Sequence, residues 1–94
     1  MVGKMASMSD KITLRPEVQC FAELMERKLR ENDHKGGWED DTCGELFARM
    51  IEEGDELHSA LAAIRIDSSK VASEAADVAN FCLMIVDNCG GLKP

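Results

Sequence analysis

The stretch VANFCLMIV, Val78 to Val86, sets the tightest limit on what this chain can fold into. Read as a helix at about 100° per residue, it is apolar on nearly every side, and Asn80 is its one polar side chain. Such a helix has to be covered from several directions at once. A 94-residue chain has little with which to do so. At this size a monomer buries roughly 60 to 65% of its unfolded surface, and one Trp and three Phe are the only large rings available. The expectation is an all-α fold with three main helices per chain. A four-helix-bundle-like core is then completed by further copies, as a homodimer or a homotetramer.

The rest of the chain punctuates those helices. Residues 1–12 read as a disordered leader and residues 13–94 as one helical domain. Pro16 and Glu17 suit a first turn, so helix one is expected from Pro16 to Asn32. The polar segment DHKGGWEDDT, with consecutive glycines, then breaks it. Thr42 followed by Glu45 has the form of a capping box for a second helix reaching Ile66. DSSK is a turn, Ser69 a candidate cap, and the third helix runs from Lys70 to Asn88 before Gly90-Gly91. No segment alternates as a strand would.

Charge and cysteines exclude several classes. With a net charge of -7 and no dense Lys/Arg run, a nucleic-acid polymer is not an expected partner. No apolar run is long enough to span a bilayer and no signal peptide is visible, so the expectation is a cytoplasmic protein with no membrane partner. The four cysteines form no CxxC pair. Cys82 and Cys89 are one heptad apart, roughly 10 Å along a helix and too far to bridge. All four are expected as reduced thiols.

Within helix two the apolar stripe Leu46, Met50, Leu57, Leu61, Ile64 has a carboxylate in its middle. With Leu46 at zero, Glu53 falls at about -20°, Glu56 at about -80° and Glu52 at about -120°, while Asp55 points the opposite way. In helix three, with Val71 at zero, Glu74 falls at about -60° and Asp77 at about -120°, among apolar columns. Buried carboxylates must pair, protonate or bind a cation. Helix two offers only Arg49 and Arg65, and helix three only Lys70. Several acids converging with few basic partners suit a hard divalent cation such as Mg²⁺, with Mn²⁺ as a substitute. A solvated acidic face is the bland alternative, and for Glu53 alone a helix-edge residue reaching water is the commoner case.

EEGDEL followed by EAAD has the form E-E-x-x-E … E-x-x-D. It resembles the MazG-like all-α nucleoside triphosphate pyrophosphohydrolases, the superfamily that includes dimeric dUTPases and phosphoribosyl-ATP pyrophosphatases. The likeness covers residues 21–92. It implies hydrolysis of a (d)NTP to the monophosphate and pyrophosphate, with Mg²⁺. It also implies Glu53, Glu56, Glu74 and Asp77 as metal ligands. Glu52 matches the leading Glu and would orient or deprotonate the attacking water, a catalytic role that Glu53 could take instead.

A triphosphate among carboxylates needs cations as well as metal. Lys28 and Asn32 fall on the inward side of helix one, and Lys35 follows in the break, so all three are candidates for phosphate or sugar contacts. Trp38 is the one large flat side chain able to stack a base. Asn80, phased opposite the Val71 stripe, is a candidate contact to substrate from a neighbouring subunit. Each has a plain alternative: Lys28 snorkels, Trp38 is core, Asn80 faces water. His34 and His58 receive no role, and Gly36-Gly37 lack the Lys-Ser/Thr of a phosphate loop. A non-catalytic acidic helical module that dimerises and binds a protein partner is the competing function.

Overall fold

The computed structural model describes residues 12–93, and the expected leader lies outside them except for Ile12. The described residues are helical and contain no strand: α1 (Pro16–Glu31), a single 3₁₀ turn (Asp33–Lys35), α2 (Cys43–Ala62) and α3 (Ser68–Asn88). α3 packs against both α1 and α2, and those two do not pack on one another. The all-round apolar run therefore sits in the middle, as its pattern requires, and a gap opens over it between α1 and α2.

The helix ends follow from local chemistry. Pro16 takes the first turn of α1. Thr42 and Glu45 form the capping box at α2: the Thr42 hydroxyl accepts from the Glu45 backbone N–H at 3.0 Å, and the Glu45 carboxylate accepts from the Thr42 N–H at 2.8 Å. The cap of α3 differs from expectation. Asp67, rather than Ser69, holds it, its Oδ1 accepting from the N–H groups of Ser69 and Lys70, and the helix starts two residues earlier than Lys70. At the other end Gly91 N–H bonds to Val86 O and Gly90 N–H to Asp87 O, with Gly90 at φ +83°. This is a Schellman closure that needs the left-handed residue.

α2 is shorter than the apolar spacing suggests. It ends at Ala62, and Ala63 is extended. Ile64 lies in the connection and is fully exposed, and Leu61 is half exposed, so the lower end of the expected stripe is not core within the chain. Periodicity carried across the turn by coincidence. Leu46, Ala60 and Ala76 are the only buried apolar residues among those described. Phe47, Ile51 and Val86 stay about half exposed on α2 and α3.

Candidate metal centre

Glu53 sits in the stripe of α2 that faces the gap. Across from it, Glu74 and Asp77 lie one turn apart on α3. The fold brings these three together, with one carboxylate oxygen from each within 4.8 Å of the others. Two have a lysine at the edge. Lys28 of α1 reaches across α3, its Nζ 3.4 Å from Asp77 Oδ1 and donating to Ser73 Oγ at 2.8 Å. Lys70 Nζ lies 3.1 Å from Glu74 Oε2, from a largely exposed position. Glu53 has no ion pair among the described residues.

The electrostatics follow. Burial pushes the Glu53 carboxyl above its usual range, and Asp77, Glu74 and Glu56 push it further, against the pull of Lys28. Burial also raises Asp77, with Glu74 and Glu31 adding to the effect, while Lys28 opposes it by charge and by hydrogen bonding. An all-oxygen set of three half-buried carboxylates is what a hard divalent cation takes, at about 2.0 to 2.6 Å per oxygen. The residues present therefore fit Mg²⁺ or Mn²⁺.

The remaining sequence candidates separate into two groups. Glu56 is exposed and stands outside the trio, though near enough to act on Glu53. Glu52 is exposed and lines no part of the gap. In contrast, Lys28, Asn32, Lys35, Trp38 and Asn80 all line one cleft of about 580 Å³, together with Glu53 and Asp77. That cleft is the gap between α1 and α2. Asn32 also closes α1, its Nδ2 donating to Lys28 O at 3.1 Å. Trp38 is pinned as well as presented: its Nε1 donates to Asp87 Oδ2 at 3.0 Å, and Asn88 Nδ2 donates to Trp38 O and Asp41 O.

Asn80 departs from its helical phasing. Rather than facing water it is 4% exposed, with Nδ2 donating to Met25 O at 3.1 Å. α3 is covered from two sides, so the face opposite the Val71 stripe is covered too. Its Oδ1 is buried without a partner.

Arg49 was visible in the sequence only as one of few cations on helix two. It lines the cleft one turn before Glu53, its guanidinium 4.9 Å from the centre of the Phe81 ring. The signal was the i, i+4 spacing from Arg49 to Glu53, which puts both over the same gap. Gly36, at φ +91°, gives the turn into Trp38 a backbone that only glycine adopts freely. No protein-family model, curated protein or solved structure matches the chain.

Proposed function

We propose that this chain is a Mg²⁺-dependent nucleotide pyrophosphohydrolase of the MazG-like type, cleaving a (d)NTP to the monophosphate and pyrophosphate. One observation carries the reading. Glu53, unpaired among the described residues and raised by burial and by its acidic neighbours, and Asp77 open onto a cleft that also holds Lys28, Lys35, Arg49 and the Trp38 ring, with Glu74 beside them to complete the trio. Acids for a cation, cations for phosphates and a flat apolar face for a base occur on one wall-to-wall path.

Mg²⁺ bound there would supply charge neutralisation, polarisation of phosphoryl oxygen and a nucleophile near neutral pH. Glu53, Glu74 and Asp77 would hold it. Lys28, Lys35 and Arg49 offset the charge of the triphosphate, and Arg49 offers a planar fork suited to phosphate oxygens. Trp38, fixed by Asp87 and Asn88, presents its ring to the base. Asn80, with its amide nitrogen bonded to Met25 O and its Oδ1 buried, would shape the cleft wall against the nucleotide. Glu53 is the better placed of the two acids to take a proton from water, because it lines the cleft while Glu52 is exposed and lines no part of it.

Copies of the chain would complete the fold as a homodimer or homotetramer, since Phe47, Ile51 and Val86 remain uncovered in a single chain. No described helix is long and apolar enough to cross a membrane.

The test is product analysis on a mixed (d)NTP panel with Mg²⁺, with Mn²⁺ and with chelator. Monophosphate plus pyrophosphate, lost on chelation, supports the reading. Diphosphate plus orthophosphate would place cleavage at the wrong bond. With no nucleotide cleaved under any condition, the acidic helical interaction module takes its place.

A further inference from the structure

Spacing along the chain put no two cysteines within bonding reach, and the tertiary fold reverses that for one pair. Cys43 is the first residue of α2 and Cys89 the C-cap of α3. Their sulfurs lie 3.2 Å apart across 46 residues of sequence, and both are free thiols. That is closer than ordinary sulfur–sulfur contact. Small rotations of two short side chains at helix ends cover the remaining distance to a bond of about 2.05 Å. Cys89 is exposed and Cys43 partly so, which admits a small reagent. No further His, Cys, Asp or Glu gathers on the pair among the described residues, too few donors for a structural zinc site. The other two thiols serve as internal controls, because both are exposed yet neither has a second thiol beside it: Cys82 Sγ lies 3.4 Å from the Met50 sulfur, and Cys20 is on α1.

The pair also occupies a junction. Cys43 follows the Thr42 cap, and Cys89 follows Asp87 and Asn88, which hold Trp38 and Asp41. A bond there would tie the start of α2 to the end of α3 beside the segment that carries the Trp38 wall of the cleft.

We propose that Cys43 and Cys89 are a reversible oxidation site that forms an intramolecular disulfide by exchange with a low-molecular-weight disulfide such as oxidised glutathione. One thiol loses its proton and attacks a sulfur of the reagent, releasing one glutathione thiolate, which takes up a proton. The second thiolate then attacks the protein sulfur of the mixed disulfide and releases the second glutathione. The protein gives up two electrons and two protons, and one oxidised glutathione becomes two reduced molecules. The Cys89 sulfur, by its hydrogen bond, pushes the Cys43 thiol above its usual range, and partial burial adds to this.

The experiment incubates the reduced full chain with excess oxidised glutathione, quenches with acid, alkylates and maps the peptides. The expected result is that Cys43 and Cys89 are lost to alkylation together and found in one linked peptide two hydrogens lighter than its reduced parts, while Cys20 and Cys82 enter no protein disulfide. The thermal midpoint should rise by roughly 10 °C or more, because the bond closes a loop of tens of residues in the unfolded chain, and a reductant should return it. Cys43→Ser and Cys89→Ser should each lose the mass change and the shift, and the double variant Cys20→Ser/Cys82→Ser should keep both. A persistent glutathione adduct on Cys43 or Cys89, a link through Cys20 or Cys82, a bond between two chains, or four thiols left intact would overturn the proposal. Mapping of the unmutated chain decides between these outcomes even if a serine variant fails to fold.

Discussion

Glu53 and Asp77 carry the most consequential single-residue predictions. Both have carboxyls raised above their usual values in the folded chain. A raised carboxyl makes the folded state bind protons more tightly than the unfolded state does. Stability from these groups is then fully present below the ordinary carboxylate range and is lost as pH rises through the raised values. In chelator, the part of the thermal midpoint owed to these two groups should therefore fall as pH rises above about 4.5, the ordinary Glu value. Glu53→Gln should flatten that fall, keep or raise stability at pH 7, and abolish pyrophosphate release. Asp77→Asn should also abolish activity, and Asp55→Asn, on the exposed side of α2, should do almost nothing. Equal damage from Asp55→Asn and Glu53→Gln would mean that α2 is rotated from the orientation described. Adding Mn²⁺ at about 100 times its Kd should raise stability by about 2.7 kcal/mol in the native chain and by far less in Glu53→Gln. Lys28 makes a sharper case, since it already occupies Asp77. Lys28→Met should tighten Mn²⁺ binding several-fold, read by the free-ion signal in electron paramagnetic resonance, while lowering kcat/KM by at least tenfold. Loss of both together would mean that Lys28 merely supports the fold.

Among the elements, two glycines should respond in opposite directions. Gly54 lies inside α2, and a Cβ added there would meet nothing within 4 Å. Gly54→Ala should therefore stabilise the chain by about 0.5 to 1 kcal/mol through helix propensity, measured as a higher urea midpoint at unchanged m-value. Destabilisation instead would locate a neighbouring chain against that face. Gly36 also has open space for a Cβ, but its φ of +91° makes any side chain strained. Gly36→Ala should cost about 1 to 3 kcal/mol and lower activity by disturbing the approach to Trp38. Elsewhere the helix ends were legible where capping is local and chemical. Thr42 with Glu45, and Gly90 with Gly91, were read directly from the residues. The start of α3 and the end of α2 were not, because Asp67 and Ser69 compete for one cap and apolar Ile64 continues the period past the last helical residue.

For the whole molecule, the question is cover. α3 is apolar on almost every side, yet α1 and α2 leave Phe47, Ile51 and Val86 about half exposed, and only three apolar residues are buried among those described. At about 25 cal/mol per Å², exposed side chains of this size represent several kcal/mol, comparable with the whole stability of a small domain. A second copy is the expected cover. Dilution should lower the thermal midpoint and the specific activity together. Light scattering at micromolar concentration that found a fully active 10.3 kDa particle would rule this assembly out.

By itself the sequence determined the helical class, the number of helices, the central place of α3 and the presence of carboxylates on core-facing phases. Period and capping are local properties, fixed within a few residues of chain. It also put forward Lys28 and Asn32 from their inward phase on helix one, and Lys35 and Trp38 from the break after it, and all four line the cleft. Only the tertiary structure decided which acids meet. Glu53, Glu74 and Asp77 face one another while Glu52 and Glu56 do not, since that depends on how α2 is turned about its axis against α3. It likewise decided that Asn80 is buried rather than wet, that Arg49 overlooks the cleft, and that Cys43 meets Cys89. Each of those is a contact between residues more than 20 positions apart in the chain or a consequence of one, and no periodicity within a single helix records it.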